Sequence, residues 1–175
     1  MPHVLDDLAL LDPDGRLVRV GDLWSDRMAV LMFVRHFGCL FCKQQVAEIA
    51  PFLGRIRAAG AELFVIGQGS VEEAREFRDE HRLEMRLLTY PTRQAYCALG
   101  MRRGAASALK PAVVLRGLEA MRQGFRQTRT KGDPLQQGGV LVIAPGGEER
   151  YRYISQFAGD HPAPAGILDH CRRRT

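Results

Sequence analysis

The sequence predicts an α/β fold, a mixed central sheet flanked by helices. Three observations carry this. Two apolar runs of strand length, Met28–Val34 and Glu62–Gly67, enclose a stretch with helical spacing. Val140–Ala144 and Arg150–Ile154 flank a Pro145-Gly146-Gly147 turn, which is a hairpin pattern. Cys39-Leu40-Phe41-Cys42 stands where the first apolar run gives way to the helical stretch. The chain has 175 residues, 46% of them hydrophobic and 26% charged. That suits one domain over residues 1–175, large enough for a core.

The elements follow in order. Leu8–Leu11 and Leu17–Val20 read as short strands around Asp12-Pro13-Asp14-Gly15, an N-terminal hairpin. Asp22-Leu23-Trp24 is expected to form a single turn over one end of the core. Met28–Val34 is continuously apolar, as a central strand buried on both faces must be. From Phe41 to about Ala59, Val46, Ile49, Phe52, Leu53 and Ile56 mark one helical face, kinked at Pro51 and stopped by Gly60. Glu62–Gly67 is the second central strand. Ser70 and Glu73 form a capping box for a helix to about His81. Arg86–Thr89 reads as a short strand, and Thr92 as the cap of a helix to about Leu99, ended by Gly100. Within a helical insertion at about 104–132, Pro111 suits a first turn, and Val114, Leu118, Met121 and Phe125 share a face expected to lie over the core. The hairpin and a short helix, Ile167–Cys171, complete the chain. Strand, helix, strand, helical stretch, hairpin and final helix is the thioredoxin-like order. It places Cys39 and Cys42 at the carboxyl end of a central strand, where such sheets bind ligands.

Two cysteines three apart at a strand-to-helix junction form a redox motif. The helix N-terminus carries partial positive charge and unpaired N–H groups, which stabilise a thiolate. The second sulfur is close enough to close a disulfide. Zinc ligation would need two more ligands, and the sequence has no second CxxC or HxxxH pair. A pair of buried structural thiols is the remaining alternative. Cys97 falls on an apolar helix face and reads as core packing; Cys171 sits in a basic tail and reads as incidental. Four cysteines do not make a disulfide framework here. Met-Pro-His-Val-Leu-Asp-Asp has neither a basic flank nor an apolar signal core, so the expected location is the cytoplasm, where a CxxC is more often catalytic than structural. No membrane span is expected. The sequence shows no metal, flavin or nicotinamide site, so no cofactor is expected.

The net charge is +5, unevenly placed. From Met101 to Lys131 eight basic residues stand against Glu119 alone, a local +7, and Arg172-Arg173-Arg174 adds a second cluster. A solvated helix face accounts for this; a cationic cap attracting anionic substrates, a membrane surface or an acidic partner is the functional alternative. Phe125 is the one aromatic of that segment and no nucleic-acid motif is present, so no nucleic-acid partner is expected.

Leu11-Asp12-Pro13-Asp14-Gly15, Val20 and Asp22-Leu23-Trp24 resemble the N-terminal hairpin of peroxiredoxins. Phe33-Val34-Arg35-His36-Phe37-Gly38-Cys39-Leu40-Phe41-Cys42 resembles more specifically the peroxiredoxin-like AhpC/TSA branch that includes selenoprotein L. Gly132-Asp133-Pro134-Leu135-Gln136-Gln137-Gly138-Gly139 and Gly159-Asp160-His161-Pro162 are similar to that branch too. The resemblance covers nearly the whole chain and is weakest from Gly104 to Thr130. It implies a thioredoxin-like fold and a thiol-dependent oxidoreductase. The substrate would be a peroxide or related oxidised molecule, lipid endoperoxides among them. Electrons would come from a thioredoxin-type or low-molecular-weight thiol, and since relatives often pair, a homodimer is one option.

The departures from the pattern are specific. Typical peroxiredoxins carry Pro-x-x-x-Thr/Ser-x-x-Cys. With Cys42 aligned to the peroxide-reactive cysteine, Arg35 takes the proline position and Cys39 the Thr/Ser position. The arginine that polarises peroxide aligns with Gly138, and the thioredoxin cis-proline aligns near Gly139. Arg35 is either a substitute cation beside a thiolate or a solvated strand-end residue. His36 is either a proton shuttle or a histidine facing solvent. Phe37 and Phe41 are expected to frame the motif. Gly138 and Gly139 are expected to let backbone approach the disulfide, or to be an ordinary loop. Thr89-Tyr90-Pro91 ends a strand near the same sheet edge and either shapes the pocket or simply stops the strand. Cys39 is the expected attacking thiolate in exchange with a partner and Cys42 the resolving thiol; for direct peroxide attack the roles could swap. A non-enzymatic redox-sensing or interaction module is the alternative that the missing proline and arginine raise.

Overall fold

A computed structural model describes residues 3–90, 92–101, 103–104, 111–128 and 133–172. The order begins with β1 (Ala9–Leu11), β2 (Leu17–Arg19), a 3₁₀ turn at Val20–Trp24, and β3 (Met28–Phe33). The helix after β3 runs as α1 (Leu40–Ile49), a 3₁₀ turn at Ala50–Phe52 and α2 (Leu53–Ala58). Pro51 causes that break, because it has no N–H to continue the ladder. Then come β4 (Ala61–Gly67), α3 (Val71–Glu80), β5 (Arg86–Thr89), α4 (Gln94–Ala98), α5 (Pro111–Arg122), β6 (Gly139–Ile143), β7 (Glu149–Ile154) and α6 (Pro164–Arg172). The Ser70–Glu73 capping box at the start of α3 is complete on both sides.

The strands form one mixed seven-stranded sheet in the order β2-β1-β5-β4-β3-β6-β7. β3 lies between β4, to which it is parallel, and β6, to which it is antiparallel. Successive side chains of a strand point to opposite faces, and here both faces are covered. Val30, Met32 and Val34 pack with α1, α3 and α6, while Ala29, Leu31 and Phe33 pack with Leu10, Trp24 and Tyr96. This explains the unbroken apolar run. Each buried Val, Met, Leu or Phe of β3 contributes roughly 1.5–3 kcal/mol.

Several expectations need correction. Thr92 does not cap α4; Arg93 holds that position and makes no side-chain cap. α4 buries Ala95 and Tyr96, with Leu99 one turn on, which turns Cys97 outward: it is exposed rather than core. Cys171 is the converse. α6 buries Ile167, Leu168 and Cys171 together, so this thiol is a core residue, and burial pushes it up to about 11.

The expected inner face of α5 points outward. Val114, Leu118 and Met121 are exposed, with Leu115 beside them, while Ala120 is buried and Val113 and Gly117 turn inward. The side that turns inward carries the smaller residues. A Cβ on Gly117 would stand 3.7 Å from the Phe41 ring, so this side approaches α1 closely. The polar residues follow: Gln123 bonds Gln44 of α1, and Arg116 bonds the Gly159 carbonyl and lies over Phe157. Pro91, Arg102, residues 105–110 and 129–132, and Arg173-Arg174 lie outside the described residues, so the expectations placed on them have no structural counterpart. Among the described residues no helix is long and apolar enough to cross a membrane.

Candidate functional site

The two cysteines sit where β3 ends, at the centre of the sheet. The Val34 N–H bonds the Ile66 carbonyl at 2.8 Å, and the buried Tyr96 hydroxyl donates to the Val34 carbonyl at 2.7 Å. The strand end is therefore fixed from both sides. The chain then turns through Arg35–Gly38, and Cys39 becomes the N-cap residue of α1. Cys42 lies one turn into the helix. Both thiols are free and buried, 1% and 3% exposed. The sequence pattern does not reveal that neither sulfur is open to solvent.

Their environments differ. The strongest influence lowering Cys39 is hydrogen bonding from the neighbouring Cys42 thiol. The Arg35 guanidinium lies 3.6 Å from the Cys39 sulfur, and the Cys42 and Phe41 N–H groups of the first helical turn point at it. Together these outweigh burial and lower Cys39 to about 6. Cys42 is pushed well above the ordinary range, first by burial and then by the Cys39 sulfur it bonds. The Arg35 backbone N–H on its sulfur, at 3.2 Å, does not offset this. The two environments thus favour ionisation of Cys39 and oppose that of Cys42.

Arg35 is held rather than solvated. Its Nε donates to the Gln136 carbonyl at 3.0 Å and its Nη2 to the Pro134 carbonyl. The loop that supplies these carbonyls is itself anchored. Asp133 pairs with Arg103 at 2.6 Å, the Asp133 N–H bonds Gln68, and the Gln136 side chain accepts from Arg93. Burial works against the Asp133 carboxylate, but Arg103 holds it below its usual range.

His36 is 2% exposed, not facing solvent, because the turn folds it under the motif. Its Nδ1 is buried and has no hydrogen-bond partner among the described residues, and burial, then Arg35, lower it to about 4. A neutral His36 in the fold has a pH consequence. Unfolded, it takes a proton near 6.5; folded, it does so only near 4. Its contribution is present above pH 6.5 and is lost as pH falls through that window, on the order of 2–3 kcal/mol by pH 4.5. Urea midpoints at pH 7 and 4.5 check this. The drop between them is expected to shrink in His36→Leu, and an unchanged drop would refute the assignment.

The two phenylalanines part company. Phe41 forms the wall beside Cys42, facing Gly159 and Gly117. Phe37 turns the other way, stacks near Phe77 and fills the space at Gly67 and Gly69, so it is core rather than frame. Gly138 and Gly139 also serve another purpose than the one expected. A Cβ on Gly138 would stand 2.1 Å from the Phe33 carbonyl oxygen, and one on Gly139 2.5 Å from that of Tyr153. Their close approach is to β3 and β7 backbone, although Gly138 also borders the Cys42 cavity. The position that aligns with the peroxiredoxin arginine has no room for a side chain.

Other residues escaped the sequence pattern. Residues 123–128 strap the motif: the Thr128 N–H bonds the Gly38 carbonyl, the Gln127 side chain accepts the Leu40 N–H, and Thr128 Oγ1 meets Lys43 Nζ. Lys43 is buried and also pairs with Glu80 at 3.6 Å. Thr89 is buried and bonds the Gly67 and Gly69 carbonyls, a strand-end role. His161 pairs with Glu48 at 3.0 Å beside Cys42. No local pattern signals these contacts, since their partners lie 20 to 113 residues away. Among the described residues no cluster of three or more metal-ligating side chains exists.

Paired thiols at the head of a helix that follows the central strand of a thioredoxin-like sheet define a thioredoxin-fold dithiol protein. Comparison with known proteins narrows the class. The family model described as AhpC/TSA antioxidant enzyme matches residues 48–156. The chain is 34% identical to the thioredoxin-like protein AAED1, chloroplastic, of Arabidopsis thaliana, over 95% of this chain and 71% of that protein. It is 33% identical to peroxiredoxin-like 2C of Homo sapiens, over 93% and 76%. It is 31% identical to the prostamide/prostaglandin F synthase of Danio rerio, over 85% and 76%. The peroxidoxin BcpB of Mycobacterium tuberculosis superimposes with a TM-score of 0.71 at 19% identity, over 96% and 94% of the two chains. This chain belongs to the AhpC/TSA family of peroxiredoxin-like oxidoreductases.

Proposed function

We propose that the protein reduces a peroxide or a related oxidised substrate through a Cys39/Cys42 dithiol–disulfide cycle. The observation that carries the reading is the asymmetry of the two sulfurs: Cys39 sits at the N-cap of α1 with its sulfur 3.6 Å from the Arg35 guanidinium, which favours its thiolate, while burial opposes ionisation of Cys42. The Cys39 thiolate attacks the O–O bond, becomes a sulfenic acid and releases an alcohol or water. Cys42 then displaces hydroxide from the Cys39 sulfur to form the disulfide. A thioredoxin-type or low-molecular-weight thiol returns two electrons. Arg35 supplies the cation that the missing family arginine would have given. The burial of both sulfurs favours a small oxidant over a folded protein as the first reactant. Likeness to proteins named prostamide/prostaglandin F synthase extends the substrate class to organic oxidised lipids. In our reading the cycle runs in a reducing compartment, the cytoplasm, and homodimer formation follows the family habit.

The test mixes fully reduced protein anaerobically with hydrogen peroxide and, separately, with an organic hydroperoxide. Mass spectrometry counts the thiols. Loss of two thiols, a Cys39–Cys42 bond and regeneration by thioredoxin or glutathione are the expected result. Thiols that stay reduced with both oxidants would refute the peroxide reading.

A further inference from the structure

Cys42 lines a cavity of about 20 Å3, shared with Arg35, Phe41, Asp160 and His161. A site of about 10–15 Å3 suffices for one water, so this space is large enough for a water-sized group. A second cavity, about 300 Å3, opens between α1, α5 and the start of α6, and it shares Gly159 and His161 with the first. His161 therefore lines both the small cavity at Cys42 and the larger groove. Glu48 of α1 holds its Nε2 at 3.0 Å. The loop that carries it is fixed: Asp160 accepts from the Tyr153 hydroxyl and the Gln156 N–H, and Arg116 bonds the Gly159 carbonyl.

A resolving thiol raised in this way needs a proton acceptor before it can attack. We propose that His161, oriented by Glu48, accepts the Cys42 proton across the small chamber and passes it outward to the groove or to the leaving group. The inference rests on the Cys39/Cys42 cycle proposed above. The step balances. The Cys42 S–H bond breaks and its proton goes to His161. The Cys42 sulfur bonds to the Cys39 sulfur as the S–O bond of the sulfenic acid breaks. The departing hydroxide takes the proton back from His161 and leaves as water. The charged groups around His161 are Glu48 of α1, Asp160 of its own loop, Arg35 across the chamber, and Arg116 and Glu119 of α5 in the groove. Glu48 is a positioning residue, since it acts through His161.

The test isolates the second step in a Cys97→Ser background, which removes the exposed thiol. Reduced protein is treated with methyl methanethiosulfonate, and mass spectrometry follows formation and loss of the methylthio adduct on Cys39. Formation reads Cys39; loss reads attack by Cys42. In His161→Ala, loss is expected to slow about 100-fold at pH 7 while formation stays within about twofold, with partial rescue by added imidazole. Glu48→Gln is expected to slow loss about tenfold and to move the midpoint of its pH profile. His161→Gln, which keeps the polar shape, is expected to match His161→Ala. Loss rates within about twofold of the parent in both His161 variants would overturn the inference alone, as would equal slowing of formation and loss. A parent that forms the adduct and never loses it would overturn the cycle and the inference together.

Discussion

Cys39→Ser is expected to abolish turnover, whereas Cys42→Ser is expected to permit one oxidation and then stall as a sulfenic acid. The reason is the division of charge between the sulfurs. Cys39 takes its low value first from the Cys42 S–H and then from Arg35, with the first-turn N–H groups adding to both. Serine at position 42 keeps a hydroxyl donor; Cys42→Ala removes it. The alanine variant is therefore expected to move the alkylation midpoint of Cys39 upward from about 6 toward its ordinary 9.0. Arg35→Met should move it in the same direction. The thiolate is the reactive form, so either change lowers the rate at pH 7, by roughly tenfold if the midpoint rises above pH 8. Iodoacetamide alkylation against pH, read by peptide mass spectrometry, measures the midpoint. A dimedone adduct on Cys39 in Cys42→Ser is the second readout. If Cys42→Ser is inert to peroxide and Cys39→Ser is oxidised rapidly, the roles are reversed and the assignment fails.

The second large effect is expected at Gly138. A Cβ there would lie 2.1 Å from the Phe33 carbonyl oxygen and 3.2 Å from its carbon. No rotamer relieves this, because both atoms belong to the backbone of β3. Gly138→Ala must push β6 away from β3 or bend the strand just before Arg35. Overpacking typically costs about 1–3 kcal/mol, and a backbone obstacle belongs at or beyond the upper end. A loss of about 3 kcal/mol or more in urea unfolding is expected. The Arg35 N–H contact with Cys42 is displaced with it, so surviving protein should also oxidise slowly. Gly54→Ala is the internal control, since a Cβ there meets nothing within 4 Å and alanine favours its helix. Equal stability of Gly138→Ala and the parent would show that the strand end yields without cost.

Much of the fold was legible because its signals are local. The unbroken run Met28–Phe33, the Ser70–Glu73 box, Pro51 and the Pro145-Gly146-Gly147 turn each act through residues a few positions apart. The same holds for the placement of Cys39 and Cys42 at a strand-to-helix junction. α5 was misread because its apolar stripe is stronger than its docking face. Val114, Leu118 and Met121 satisfy a helical period, yet the side that carries Gly117 and Ala120 is the one that turns inward. Cys97 and Cys171 exchanged expectations for a similar reason, since a short helix buries whichever face its neighbours cover.

The sequence by itself determined the sheet and the pair of thiols at the head of α1, since periodicity and turn chemistry are written within short windows. Only the tertiary structure decided the chemistry of each thiol. Arg35 is aimed by carbonyls about a hundred residues away, at Pro134 and Gln136. His161 reaches the Cys42 chamber across 119 positions of chain, on a loop whose place is set by Tyr153 and Arg116. A thiol's acidity depends on charges, donors and solvent within a few ångströms, and chain closure rather than sequence order brings those together.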